Sequence, residues 1–267
     1  MTGVCTGLAL GAGANPLTVV TVRTIMTVAL LLVWLRFAGV RLALPRRDLG
    51  IALAIAVPMT INNYLINAAF AEIPVPLVVL IFYLWPAITT LGIWVLHKEK
   101  PRGRTAAGLA LAFAGVALAL NVDFTAAQTR GVAFALGASL MWSTVFLLTG
   151  HFFRGRDTRV PTFYMMLTAL VVFLAACLAT GAIHFPKSNA GWAGLAAIGP
   201  CYAFALIGLF AATARLGPGR VGFYMNFEPV AAVLLAAAIL GQTLAPVQLS
   251  GAALVICALF LFRSGRA

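Results

Sequence analysis

Arg23 and Glu228 each stand inside a long apolar stretch of the chain, and a charge there needs a physical reason. At the centre of a membrane helix a charged side chain costs about 2.5–3.5 kcal/mol on insertion scales, so these two must face a cavity or each other. One reading makes Glu228 a proton-coupling or substrate-ammonium site, with Pro229 loosening the backbone beside it, and makes Arg23 a carboxylate site. The other makes the two a buried ion pair that locks two helices and never meets solute. Arg23 suits the structural role better than Glu228, because a guanidinium cannot release its proton to drive a cycle.

Uncharged groups with binding chemistry accompany them: Asn62, Asn63, Tyr64, Tyr83, Trp85, Trp142, Tyr164, Tyr202, Tyr224 and Asn226, many near the middle of their stretches. Rings offer faces to a cation or an apolar body, and amides offer hydrogen bonds to a polar end, so together they would line a cavity for an amphipathic solute. Each taken singly also reads as an interhelical contact or an interfacial belt residue. The three asparagines stand out because a buried amide must find partners.

Chemistry of other kinds lacks its residues. His97, His151 and His184 form no HExxH pattern, and Cys5, Cys177, Cys201 and Cys257 are scattered singly without a CxxC pair. No metal site, cofactor or catalytic residue is expected. There is no GxSxG, and the six acidic residues lie mostly in loops, so an enzyme is not expected either. GPGRVG at 217–222 matches GxGxxG formally, but it lies between apolar runs instead of after a strand and reads as a turn.

The elements that must carry these side chains are membrane helices. The chain is 63% hydrophobic and 9% charged with mean hydropathy +1.04, against about 25% charged residues in soluble domains. Apolar runs near the length that crosses a ~30 Å hydrocarbon core recur throughout. Helices are predicted over 16–37, 48–70, 74–96, 103–120, 131–153, 161–180, 191–214, 218–240 and 246–262, with a short apolar stub at 1–14 ahead of them.

Charge then orients the spans. Alternate loops hold Arg36, Arg41, Arg46 and Arg47; Lys98, Lys100, Arg102 and Arg104; Arg154, Arg156 and Arg159; Arg215 and Arg220; and the tail Arg263 and Arg266. The opposite loops hold Arg130 and Lys187. The net charge of +12 is therefore topological and does not imply nucleic acid. With the stub counted as a span, the positive-inside rule puts both termini in the cytoplasm, in a multi-pass protein of the cell (inner) membrane.

Two stretches look like copies. A shift of 143 registers Trp85-Pro86 with Glu228-Pro229, Glu99 with Gln242 and Gly108 with Gly251. The period spans an odd number of helices and the basic loop after Leu96 matches an uncharged one, so the repeat is inverted. Trp85 in the place of Glu228 gives the cavity an aromatic wall on one side and an anion on the other. A shift near 145 pairs Pro16 with Pro161, which leaves the first helix short by roughly ten to fifteen residues and only about 20 Å long. The expectation is that Met1 is a downstream start or that the chain is shortened.

Ten spans in two inverted five-helix halves, the run NPLTVVTVR, the run WPAITTLGIWVLHKE followed by GLALAFAGVALAL, and their second copies EPVAAVLLAAAILGQ and SGAALVICALFLF resemble the EamA-like branch of the drug/metabolite transporter superfamily. The likeness covers nearly the whole chain, with repeats over 1–121 and 130–263. Gln242 departs from it, since the family commonly has Glu there, and the first helix is incomplete. The resemblance implies an all-α membrane fold of ten helices in two inverted repeats. It also implies a secondary transporter, often an exporter of amino acids or related metabolites, working by alternating access. A passive channel or a non-transporting membrane protein is the rival. The expected partners are a small-molecule solute and membrane lipid. Gly108, Gly115, Gly251 and Ala258 form small-residue faces that serve bundle contacts or, as a second reading, a homodimer.

Overall fold

Asn15 and Pro16 start the first long helix: Asn15 Oδ1 accepts a 2.7 Å hydrogen bond from the Thr18 amide, and Pro16 takes the first helical position, where no amide partner is needed. The same logic of caps, prolines and apolar runs recurs along the chain. A computed structural model describes residues 1–97, 103–119, 126–216, 227–242 and 245–263. Among the described residues the regular elements are helices: α1 Thr2–Gly11, α2 Pro16–Phe37, α3 Arg46–Glu72, α4 Val75–Phe82, α5 Trp85–His97, α6 Gly103–Ala119, α7 Ala126–Phe152, α8 Arg159–Thr180, α9 Asn189–Leu216, α10 Glu228–Leu240 and α11 Pro246–Arg263. Helices α4 and α5 form one interrupted span, so the architecture is the expected ten-span, all-α bundle. Six spans are long and apolar enough to cross a membrane by themselves, and the shorter apolar helices lie in α1, α6, α10 and α11.

The repeat is written in the helix boundaries. Pro16 and Arg159, Arg46 and Asn189, Trp85 and Glu228, and Gly103 and Pro246 are helix starts, and each pair lies 143 residues apart. The shift near 145 expected from Pro16 and Pro161 is thus corrected to a single value, because helix starts and not prolines are in register. Helix contacts follow the same rule: α3 lies on α7 and α8 as α9 lies on α1 and α2, and α5 meets α7 as α10 meets α1.

Inversion is visible at the ends of α2 and α8. Asn15, at the start of α2, donates to the carbonyl of Ala182 just past the end of α8 at 2.8 Å. At the other end the Arg159 guanidinium, which opens α8, lies 5.9 Å from the ring centre of Trp34 late in α2. The counterparts therefore run antiparallel.

Each loop finds neighbours on its own side. On the basic side Arg156 grips Asp48 through both carboxylate oxygens, and Tyr164 OH donates to the Leu42 carbonyl at 3.1 Å. On the other side Arg130 pairs with Glu72 at 3.4 Å, and the Lys187 amide donates to the Ala12 carbonyl at 2.8 Å. The loop at 36–47 and the loop at 153–159 thus share a face, as the alternation of charge requires.

Small residues set the closest helix approach. A Cβ on Gly115 of α6 would lie 2.7 Å from the Gly251 carbonyl of α11, and one on Gly251 would lie 2.5 Å from the Gly115 carbonyl. Bare backbones touch there, in a medium where dispersion and close approach hold helices together. These two positions of the small-residue faces are used within the chain.

Candidate functional site

Pro86 has no amide hydrogen, so the carbonyl of Phe82 four residues earlier loses its helical partner. Ser139 of α7 replaces it, donating to Phe82 O at 3.0 Å, and one turn further on Ser143 and Thr89 share a hydroxyl contact at 2.9 Å. The stretch expected as one helix over 74–96 is therefore two, broken at Tyr83 and Leu84. Hydroxyls from a neighbouring helix make the break tolerable in lipid.

The break faces the start of α10 in the other repeat. Tyr83 OH donates a 2.7 Å hydrogen bond to Glu228 Oε2, and Glu228 is the first residue of α10, which repeats α5. Pro229 fits the second helical position, and the positive end of the helix favours a carboxylate there. Tyr83 is buried, whereas Glu228 is exposed. At about 1.5 Å per residue, Tyr83 lies about 12 Å along the span from Val75 at the start of α4, and Glu228 about 18 Å from Leu240 at the end of α10, so both stand well inside their apolar stretches.

Gln242 acts at that face. Its Oε1 accepts from the Val75 amide at 2.9 Å, closing the first turn of α4 from the other repeat. An amide oxygen suffices for this contact.

Arg23 keeps separate company. Its Nη2 donates to Asn63 Oδ1 at 2.6 Å, and its guanidinium carbon lies 4.7 Å from the ring centre of Tyr202. Arg23 and Asn63 are 5% and 2% exposed. No ion pair joins Arg23 to Glu228 among the described residues, so the locking pair anticipated as one reading is not what holds these helices.

The remaining expectations divide. Trp85 packs on Phe146 with ring centres 5.1 Å apart, and Trp142 sits 6.4 Å from Phe82, flanking the break. Tyr164 lies early in α8 and ties a loop carbonyl at the basic face, away from midspan. Asn62 is buried, with its Oδ1 unpartnered, and Tyr64 is exposed. Tyr224, Asn226 and GPGRVG lie outside the described residues.

Two residues were missed: Asn67, fully buried one turn beyond Asn63, and Ser139. Asn67 was detectable from its i,i+4 spacing to Asn63. Ser139 carried no local signal, since its partner is the Phe82 carbonyl, 57 residues earlier on another helix.

A helical membrane bundle built from two inverted repeats is an architecture shared by many transporters. Residues 1–121 and 129–264 match the EamA-like transporter family, and the chain belongs to that family. No curated protein matches the sequence. Among solved structures 23 chains are similar. One, described only as the crystal structure of a protein, has 19% sequence identity and a TM-score of 0.65 and covers 97% of this chain and 93% of its own, a likeness of fold.

Proposed function

We propose that this EamA-family membrane transporter is a secondary carrier that exports a small amphipathic metabolite, such as an amino acid, by alternating access. The observation that carries the reading is the Tyr83–Glu228 hydrogen bond, which joins the helix break of one repeat to the first turn of the equivalent helix in the other. A carboxylate inside an apolar stretch that is exposed and held by one phenol can take and release a proton or a cationic group. Its site lies at the repeat interface, where rocking of one repeat against the other would change the side to which it opens.

The surroundings of the Tyr83 break also suit a solute with a cationic end and an apolar body. Trp85, Trp142, Phe82 and Phe146 flank the break with aromatic rings. Clustering of the basic loops on one face favours cytoplasmic termini and residence in the cell (inner) membrane.

Reconstituted vesicles test the reading. Flux of labelled amino acids should saturate with concentration and rise when a pH gradient is imposed. Unsaturable flux would instead mark a channel, and no flux across the amino-acid panel would remove the proposed substrate class.

A further inference from the structure

Arg23 is a buried cation with almost no partners. A guanidinium carries five N–H donors, yet among the described residues its contacts are a single hydrogen bond, to Asn63 Oδ1, and the Tyr202 ring. The three described ion pairs use other residues: Arg130 with Glu72, Arg156 with Asp48 and Arg159 with Asp157. Arg23 has no carboxylate among the described residues, although burying an unpaired charge is among the costliest things a fold can do.

Beside it lie unpaired amide atoms. Asn63 Nδ2, a donor, and Asn67 Oδ1, an acceptor, are fully buried and lack partners, and Asn67 Nδ2 donates back to the Asn63 carbonyl at 2.6 Å. Asn63 and Asn67 are one turn apart and so share a face of α3. The nearby hydroxyls contrast with them: Thr24, Thr27 and Thr60 each donate to the carbonyl four residues earlier at 2.6–2.7 Å. Those groups satisfy themselves locally, and the Arg23–Asn63–Asn67 group does not.

We infer that Arg23, Asn63 and Asn67 form an anion subsite between α2, α3 and α9 that takes the carboxylate of a solute bearing a hydrogen-bond donor close to that carboxylate. The unused guanidinium N–H groups and Asn63 Nδ2 supply donors to the two carboxylate oxygens, a charge-assisted arrangement that a planar guanidinium favours. Asn67 Oδ1 accepts from an adjacent N–H or O–H, as in an α-amino or α-hydroxy acid. Tyr202 holds the guanidinium plane from behind. The inference rests on the transport reading in one respect: a site this buried must open to solvent during the cycle.

The test uses the whole purified protein and a substitution that supplies the missing carboxylate from within. Asn63→Asp places an anion against Arg23, so it should raise the melting temperature of the empty protein while abolishing ligand binding. The probes are the twenty common amino acids, their carboxamides, lactate and chloride, read by melting-temperature shift. At least one carboxylate should stabilise the parent, its carboxamide should bind at least tenfold more weakly, and Asn63→Asp should lose the shift. Arg23→Lys keeps a charge without the fork and should weaken the same carboxylate at least tenfold, which covers the case in which the aspartate variant fails to fold.

A parent that binds carboxamide and carboxylate equally, a response to chloride alone, no shift with any probe, or an unchanged shift in Asn63→Asp or Arg23→Lys would each overturn the subsite. Saturable amino-acid flux in the parent is measured alongside. If that flux persists while the variants bind normally, the subsite fails and the carrier reading stands; if the parent carries no flux, the carrier reading fails by itself.

Discussion

Tyr83 OH lies 2.7 Å from Glu228 Oε2, and the two residues belong to the interruption of one repeat and the first turn of the equivalent helix in the other. The bond therefore joins the helix break of one half to a helix start in the other. A carrier that rocks about its repeat interface must strain or break a contact of this kind in one of its states.

Tyr83→Phe removes the donor and leaves the ring. A hydrogen bond to a charged group contributes about 1.5–3 kcal/mol, so transport should fall roughly tenfold or more while the protein still purifies as a folded species. Equal flux in parent and variant would show that the bond is incidental.

Ser139→Ala leaves the part-buried Phe82 carbonyl without this donor, at a cost of up to about 1–3 kcal/mol. The variant should melt at a lower temperature than the parent. Ser139→Thr, which keeps the hydroxyl, should melt closer to the parent, and an alanine variant as stable as the parent would contradict the assignment.

Gly251→Leu should separate α6 from α11, because a Cβ there already meets the Gly115 carbonyl at 2.5 Å. The expected result is a large loss of folded protein on size-exclusion chromatography, with Gly50→Leu, where a Cβ meets open space, tolerated. Equal yields of the two would mean that the crossing is looser than described.

Asp157 supplies a pH dependence at the basic face. The Arg159 side chain, by hydrogen bonds as short as 2.6 Å, holds the Asp157 carboxyl below the usual carboxylate range. A carboxyl depressed in the folded state stabilises above its unfolded value near pH 4 and loses that contribution as pH falls through the lower folded value. The pair is half-exposed, so the effect is small. Asp157→Asn should flatten acid unfolding only below about pH 4, and a change confined to neutral pH would contradict this.

Much of the bundle was legible because lipid imposes simple rules. An apolar run must become a helix long enough to hide its backbone, and 16–37 was read to the residue. The repeat was also readable, since Trp85-Pro86 and Glu228-Pro229 place a shared proline at the start of equivalent helices. Pairing between helices was less so. Arg23 and Glu228 attract attention as opposite charges in apolar stretches, but sequence contains no measure of their separation, and the fold gives each a neutral partner instead. Ser139 was invisible for a related reason: its role is defined by a carbonyl that Pro86 frees on another helix.

Coupling at Glu228 is the centre of the account. Glu228→Gln keeps an oxygen for Tyr83 but cannot ionise, so vesicles carrying it should still bind and exchange solute while pH-gradient-driven accumulation falls to the level of protein-free vesicles. Full gradient-driven accumulation by Glu228→Gln would contradict the account directly.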